Sequence, residues 1–306
     1  MRADFVKTRY GLLKRRTKPM IKEFGLTFYV IRKSPLAVAG GIVVIIFLFM
    51  AVFGKYVAPH DPYETDIANR FKSPSLEHLC GTDKLGRDVF SRLLHGARYS
   101  LKVGIVVLVI ATPLGIILGG VAGLLGGWFD ELIMRITDIF LAFPYLLLAM
   151  AFCAALGPSL DNAMVAISLV WWPLYTRLIR GQALSVRENA YIEAARSMGE
   201  GRMTIILRHL LPNCLSPVLV TFTLDLGAIV LATAALSFLG FGAQPPLPEW
   251  GRMISDGRIY MFQAWWVPTF PGLAIALTVL GFNLLGDGIR DALDPKLRRV
   301  IEVEAK

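Results

Sequence analysis

The stretch "LKVGIVVLVIATPLGIILGGVAGLL" occupies residues 101–125 and carries a single charged side chain, Lys102. A helix needs about 20 mostly apolar residues to cross about 30 Å of hydrocarbon, and helices keep their backbone hydrogen bonds internal there. The run therefore predicts a transmembrane helix. Its glycines at 115, 119 and 123 recur at every fourth position, a spacing that lets a second helix approach closely.

The composition of the whole chain points the same way. Hydrophobic residues make up 55% and charged residues 18% of 306 positions, and the mean hydropathy is +0.57. A net charge of +9 could indicate nucleic acid, but excess Lys and Arg also mark cytoplasmic flanks of membrane helices. We expect the second explanation, with no nucleic-acid partner. The first apolar run starts only near Leu36, so we expect no cleavable signal peptide.

Six apolar runs predict six transmembrane helices and an all-α, polytopic membrane protein. The expected spans are 36–53, 101–125, 136–156, 163–178, 215–239 and 267–285, with Pro144 breaking the third. Residues 1–35 contain ten Lys and Arg against two acidic residues, so this segment should stay in the cytoplasm. An even number of crossings then places both termini there.

A polar stretch between the fourth and fifth runs predicts two short helices. "LSVRENAYIEAARSM" (184–198) ends before Gly199, a residue that tolerates the positive φ often found after a helix. In the run that follows, the positions Met203, Ile206, Leu207 and Leu210 would form one apolar stripe. Spacing alone leaves open whether this structure lies on lipid or docks a cytoplasmic motor.

Particular residues of this stretch resemble the EAA loop of ABC-importer permeases. Glu193-Ala194-Ala195 is followed by Gly199 six residues after the Glu, and by Leu211-Pro212 at the family's spacing. His209 stands where the family usually has Ile, and we expect neighbouring Leu210 to supply an apolar contact.

The resemblance extends from about Ser34 through most of the chain. "GTDKLGRDVFSRLLHGARYSL" (81–101), "AALSFLGFG" (234–242) and "LLGDGIRDALDP" (284–295) look like the C-type membrane subunit of the dipeptide, oligopeptide and nickel importers. The resemblance implies a type I ABC importer fold in the cytoplasmic (inner) membrane. It divides the chain into a basic N-terminal segment (1–35), a first helix with its extracytoplasmic segment (36–100), a permease core (101–290) with a coupling loop (180–213), and a cytoplasmic tail (291–306).

The family also implies partners and roles. The coupling loop, with Glu193, Ala194, Ala195, Gly199 and Leu211-Pro212, would fit a cleft in an ATPase. The expected partners are a B-type permease homologue, two cytoplasmic ABC ATPases, an extracytoplasmic solute-binding protein and membrane lipid. ATP and magnesium would be bound by the ATPases, so this chain should need no cofactor.

Two residues are candidates for the translocation path. Asp225 interrupts an apolar run, where a charge would cost about 2.5–3.5 kcal/mol at the bilayer centre. It should face the bundle interior, a water-filled path or a partner, or else pair at a helix interface, and these alternatives stay open. Thr233 stands where relatives often have Glu.

Several chemical functions are disfavoured. "GTDKLGRD" (81–88) has P-loop glycine spacing but lacks the Lys-Ser/Thr pair that follows it in a phosphate site. The residues His60, Asp61, His78, Cys80 and Asp83 are irregularly spaced, so we expect a solvated loop there and no metal site. No hydrolase pattern occurs, and we expect a transport subunit and not an enzyme.

Import of di- or oligopeptides is the expected function. Nickel or oligosaccharides are alternative cargo. The rival class is a self-sufficient channel or secondary transporter that uses Asp225.

Overall fold

The computed structural model describes residues 31–205, 208–209 and 211–293. Helices account for the regular structure in these ranges, apart from one isolated bridge between Thr82 and Asp88. Residues 1–30 of the basic segment, the tail from 294 onward and three stripe positions (Ile206, Leu207 and Leu210) lie outside the described residues.

Ten α-helices follow one another through the described ranges. They are α1 (Pro35–Val57), α2 (Val89–Leu125), α3 (Gly127–Ala142), α4 (Tyr145–Leu156), α5 (Leu160–Arg187), α6 (Ala190–Ser197), α7 (Arg202–Ile205), α8 (Leu211–Phe238), α9 (Trp250–Gly257) and α10 (Trp266–Leu293). Short 3-10 turns occur at Ile67–Asn69 and Arg258–Tyr260.

Four of these helices are long and apolar enough to cross a membrane: α1, α2, residues 216–238 of α8, and α10. Helices α3 and α4 together make a fifth candidate, bent by 91°. The break falls at Phe143 and Pro144, because proline disfavours helical geometry in the residue before it. The break predicted at Pro144 is therefore confirmed.

Helix α2 begins at Val89, twelve residues before the start that the apolar run at 101 predicts. Asp88 caps the helix, since its side chain accepts a hydrogen bond from the Ser91 amide at 2.7 Å. The apolar run correctly predicted the membrane-spanning part of α2. The start of the helix is determined by the polar cap at Asp88.

The predicted fourth span lies within α5, which is too polar to count among the apolar candidates above. Helix α5 is instead the most enclosed part of the bundle, with Tyr175, Ile179 and Ala183 fully buried. A helix surrounded by other helices can carry polar groups that lipid would not tolerate, which explains its weaker hydropathy.

Helices α2 and α5 pack together along the predicted glycine stripe. A methyl group added at Gly115 would overlap the Tyr175 side chain, and one at Gly119 would overlap the Thr176 carbonyl oxygen. At Gly123 the same group would come within 2.6 Å of the Ala183 β-carbon. The close approach predicted from the spacing of these glycines is confirmed, and the two helices run in the same direction.

The long polar connections lie at opposite ends of this helix pair. Near its first end, Lys102 Nζ of α2 donates to Asp161 Oδ1 of α5 at 2.9 Å. Near its second end, Arg180 of α5 pairs with Asp130 at the start of α3. The α1–α2 segment (residues 58–88) therefore belongs to the first end, and the α5–α8 segment (residues 188–210) to the second.

Candidate functional site

The α5–α8 segment begins with a sharp corner after α5. The amide nitrogen of the Asn189 side chain donates to the carbonyl of Val186 at 3.1 Å. The Asn189 carbonyl then accepts from the amide of Ile192 at 2.9 Å, inside α6. One asparagine therefore closes α5 and opens α6, so the single helix predicted over 184–198 is interrupted at residues 188–189.

Gly199 ends α6 in the conformation that its position predicts. Its φ is +83°, and the amide of Glu200 donates to the carbonyl of Ala195 at 3.1 Å. A left-handed residue with this six-residue hydrogen bond is the Schellman arrangement that terminates helices. A β-carbon at Gly199 would meet nothing within 4 Å, so the backbone conformation and not crowding favours glycine here.

Helix α6 presents two different faces. Ile192 and Ala195 are 0% and 2% exposed and pack into the main core of the bundle. Glu193 and Ala194 are exposed. The buried pair fixes α6 against the bundle, while the first two residues of the EAA pattern remain available on its outer face.

His209 has a polar partner where the family usually places an isoleucine. Its Nε2 lies 3.0 Å from Glu200 Oε2, and its ring lies beside that of Tyr191 at 6.5 Å. This contact joins the end of the α5–α8 segment to the turn after α6. The expected contribution of Leu210 lies outside the described residues, and Leu211-Pro212 starts α8, with Pro212 exposed.

An ion pair anchors the base of this segment. Arg180 near the end of α5 donates to both carboxylate oxygens of Asp130, with Nη2 2.7 Å from Oδ2. Two parallel hydrogen bonds fix the guanidinium orientation as well as its position. Nearby, Arg177 donates to Asp138, although both side chains are more than half exposed, so this second pair is worth little.

Asp225 lies on α8 and faces the other helices of the chain. Its Oδ2 accepts a hydrogen bond from Trp171 Nε1 of α5 at 3.0 Å. Trp171 and Trp172 are themselves 5% and 6% exposed, so they are packed among helices and are not membrane-interface anchors. Of the alternatives left open for Asp225, pairing at a helix interface matches this contact, and a place in the translocation path stays a prediction.

Thr233 is 1% exposed and donates to the carbonyl of Ile229, one turn earlier in α8, at 2.8 Å. The hydroxyl is thus satisfied by its own helix. Its role in a translocation path stays a prediction.

The α1–α2 segment is far more enclosed than its sequence suggests. Asp83 is 5% and Arg87 5% exposed, and Arg87 Nη2 lies 2.7 Å from Asp83 Oδ2. Arg92, 3% exposed, donates to the carbonyl of Pro62 at 2.7 Å. The expectation of a solvated loop is therefore wrong for residues 78–88, where His78, Cys80 and Asp83 are buried, whereas most of residues 59–77 are exposed as expected. The buried charges are tolerated because they are paired and hydrogen-bonded.

Long-range contacts hold this segment onto the rest of the bundle. Trp266 Nε1, at the start of α10, donates to the carbonyl of Thr82 at 3.1 Å, and Trp250 Nε1 of α9 donates to the carbonyl of Leu93 at 3.0 Å. Gly81 and Gly86 have φ values of +73° and +76°. "GTDKLGRD" therefore forms a turn followed by a capped helix start, and Asp88 is the cap.

The bundle with its long apolar helices is a multi-pass membrane protein. Residues 111–299 match the family described as "Binding-protein-dependent transport system inner membrane component", and residues 24–74 match "N-terminal TM domain of oligopeptide transport permease C". The chain belongs to this family of ABC-transporter permeases, and its resemblance to the C-type subunits is confirmed.

Curated relatives cover most of the chain. It is 49% identical over 268 residues to "Probable D,D-dipeptide transport system permease protein DdpC" of Escherichia coli (strain K12), covering 88% of this chain and 90% of the relative. It is 48% identical to "Dipeptide transport system permease protein DppC" of Alkalihalophilus pseudofirmus, covering 89% of each. It is 47% identical to "Glutathione transport system permease protein GsiD" of Escherichia coli O6:K15:H31, covering 87% and 88%.

A solved structure shares the fold. A chain of the inward-facing MetNI methionine ABC transporter aligns with a TM-score of 0.52 and 22% identity, covering 66% of this chain and 97% of that one. The chain is therefore a permease of the ABC-transporter class, a transport protein and not an enzyme by family.

Proposed function

We propose that this chain forms half of the translocation path of a type I ABC importer in the cytoplasmic membrane. In this proposal α5 supplies a sixth crossing beside the five apolar candidates, and both termini face the cytoplasm. The family match and the basic composition of residues 1–35 support this orientation. The α5–α8 segment then lies on the cytoplasmic side and the α1–α2 segment outside.

The central part of the proposal is that α6 is a coupling helix for an ATPase subunit. The observation that carries it is the division of α6 into an inner face buried in the bundle and an outer face exposing Glu193 and Ala194. Glu193 offers a charge to a partner cation or amide, and Ala194 permits close approach. Ala195, on the inner face, holds the helix against the bundle. The open space over Gly199 leaves room for a partner surface.

The remaining partners and the cargo follow the family. The chain would pair with a B-type permease, two ATPases and an extracytoplasmic solute-binding protein, and the ATPases would bind ATP and magnesium. The relatives are named for D,D-dipeptide, dipeptide and glutathione transport, all of them short peptides or peptide-like molecules. We therefore propose a di- or oligopeptide as the cargo, ahead of nickel or an oligosaccharide.

The assembly is tested by purifying the chain from native membranes in mild detergent and identifying what accompanies it by mass spectrometry. A second permease and two ATPases are the expected companions. Isolation of the chain alone, or as a homodimer without an ATPase, would contradict the importer proposal and favour the channel or secondary transporter.

The coupling role is tested by Gly199→Leu in the reconstituted importer. The bulky side chain should occupy the space above the turn, so that peptide uptake falls at least about tenfold while ATP hydrolysis continues. Gly126→Leu is the control for backbone strain, because Gly126 also has positive φ (+63°), open surroundings and a place at the same end of the bundle. Its ψ of −160° lies in a region that is almost exclusive to glycine, so this control carries at least as much strain as Gly199→Leu, about 1–3 kcal/mol. Equal uptake by the two variants would refute the coupling role.

A further inference from the structure

Two histidines and an aspartate converge at the α1–α2 segment. His60 follows the end of α1, His78 precedes the "GTDKLGRD" turn, and Asp88 caps α2. His78 Nδ1 lies 2.9 Å from Asp88 Oδ1, and His60 Nδ1 lies 3.8 Å from Asp88 Oδ2. One ligand atom from each residue falls within 4.8 Å of the other two. These residues are 10 to 28 positions apart in the sequence, which is why spacing did not reveal the cluster.

The position of His60 is fixed, yet its Nδ1 makes no hydrogen bond to the residues that the structure describes. The backbone amide of His60 donates to Ser91 Oγ in the first turn of α2 at 3.0 Å. Its Nδ1 is a buried atom whose nearest carboxylate oxygen, Asp88 Oδ2, lies 3.8 Å away, beyond hydrogen-bond distance. A buried polar atom without a hydrogen bond is destabilising. A ligand shared by the three side chains would remove this cost.

The separations suit a metal ion of the zinc class. Bonds of about 2.0–2.2 Å in tetrahedral geometry hold ligand atoms about 3.4 Å apart. The observed 2.9 Å and 3.8 Å, measured to the two different oxygens of Asp88, lie on either side of this value, and the ligand atoms all lie within 4.8 Å of one another. The side chains would have to turn toward one another to bind a single ion.

The surroundings would attract a cation. The cluster opens into a cavity of about 150 Å³ whose other walls include Asp61, Glu64, Asp66 and Glu77. Among the described residues no Lys or Arg lines the cavity, although Lys72 pairs with Glu77 at 3.8 Å. Carboxylates around a cleft raise the local concentration of cations. The open side also leaves a coordination position for water, as in metal sites with three protein ligands.

We propose that His60, His78 and Asp88 bind one divalent transition-metal ion, with the fourth position open to the acidic cavity. Two imidazoles with one carboxylate select zinc-like ions over calcium or magnesium, which prefer oxygen ligands. Of the other three thiol or carboxylate candidates from the sequence, Asp83 is held by Arg87, whereas Asp61 and Cys80 are not part of the ligand group. The ion would tie the end of α1 to the start of α2.

The test uses the full-length chain in lipid nanodiscs, purified with a tag that contains no histidine. Cobalt(II) is titrated in as a spectroscopic substitute for zinc. We expect one bound ion per chain, with the visible absorption bands of four-coordinate cobalt and without the thiolate charge-transfer band that ligation by Cys80 would produce. Zinc should displace the cobalt and raise the unfolding temperature, and a chelator should reverse that rise.

The matched variants are His60→Ala and His78→Ala, with His95→Ala as the control. His95 lies on the same part of α2, but its Nδ1 bonds the carbonyl of Ser91 at 3.0 Å, outside the cluster. Cobalt affinity should fall at least about a hundredfold in the first two variants and stay unchanged in the third. Because the His60 side chain is 34% exposed, His60→Ala should fold normally and can decide the question alone. Absence of stoichiometric binding in the wild type, or equal binding by His60→Ala, would overturn the proposal.

Discussion

The α1–α2 segment and the α5–α8 segment are both polar, both carry glycines with positive φ, and both connect long helices, yet they are built differently. A β-carbon at Gly86 in the first would overlap the backbone carbonyl of Asp66, whereas one at Gly199 in the second would meet nothing within 4 Å. Asp83 and Arg87 of the first are 5% exposed, while Glu193 of the second is exposed. The part of the first segment nearest α2 is held by contacts within this chain, and the second leaves a surface exposed for the partner that we propose.

The largest expected difference comes from placing the same alanine in both segments. Gly86→Ala must displace the backbone of residue 66 and should destabilise the protein by at least about 4 kcal/mol, the range of severe core damage. Gly199→Ala adds only the backbone strain of a left-handed alanine, about 1–2 kcal/mol. Unfolding midpoints in mild detergent, followed by tryptophan fluorescence, measure both. Similar unfolding midpoints for the two variants would contradict the proposed difference in packing between the two segments.

The next comparison removes one carboxylate from each segment. Asp83→Ala leaves Arg87 and Arg92 buried without their anion and should cost about 3–5 kcal/mol, as expected for a broken buried pair. Glu193→Ala should change the free energy of unfolding by less than about 0.5 kcal/mol, as for other surface positions. Denaturant titration of the isolated chain provides the values. The contrast fails if Asp83→Ala is as stable as Glu193→Ala.

The smallest expected difference between the two segments is in the rate of thiol labelling. Burial, followed by the nearby charge of Asp88, raises the pKa of the Cys80 thiol to about 11. Raising the pKa by two units lowers the thiolate fraction near pH 8 about a hundredfold, and the thiolate is the reactive form. Maleimide should therefore modify Cys80 slowly until the protein is denatured. Ser197→Cys places a thiol at an exposed position of α6, and this thiol should react fast in the isolated chain.

Labelling in the full complex compares the accessibility of the two segments after assembly. Assembly with the ATPases should protect the Ser197→Cys thiol, while the rate at Cys80 stays low in either state. Fast labelling of Cys80 in the native chain would show that the α1–α2 segment opens readily. An unchanged rate at position 197 after assembly would show that α6 is not covered.

Local rules predicted the features that depend on neighbouring residues. Pro144 predicted the break between α3 and α4, and Gly199 predicted the end of α6. The glycine stripe predicted that a second helix approaches α2 closely, but not that this helix is α5. Each is decided within a turn or two of helix. The family resemblance extended these predictions to the whole chain.

The enclosure of the α1–α2 segment could not be predicted in this way. Its contacts join residues far apart in sequence, such as Thr82 with Trp266 and Leu93 with Trp250. Charged residues are expected to be solvent-exposed, because the composition does not show which distant residues will pack over them. One local signal was available, since Asp88 ahead of "VFSR" is a helix cap and marks the early start of α2.

The glycine contacts between α2 and α5 have a mechanical consequence. Interlocking side chains can change rotamer and re-pack. At these three positions the backbone of α2 lies directly against α5, and glycine has no side chain that could rearrange. Residues 115–123 of α2 and 175–183 of α5 are therefore expected to tilt together, and any bending is expected outside this paired stretch, at Pro113 of α2 and Pro173 of α5. A displacement at the C-terminal end of α5 would then move the neighbouring end of α2 with it.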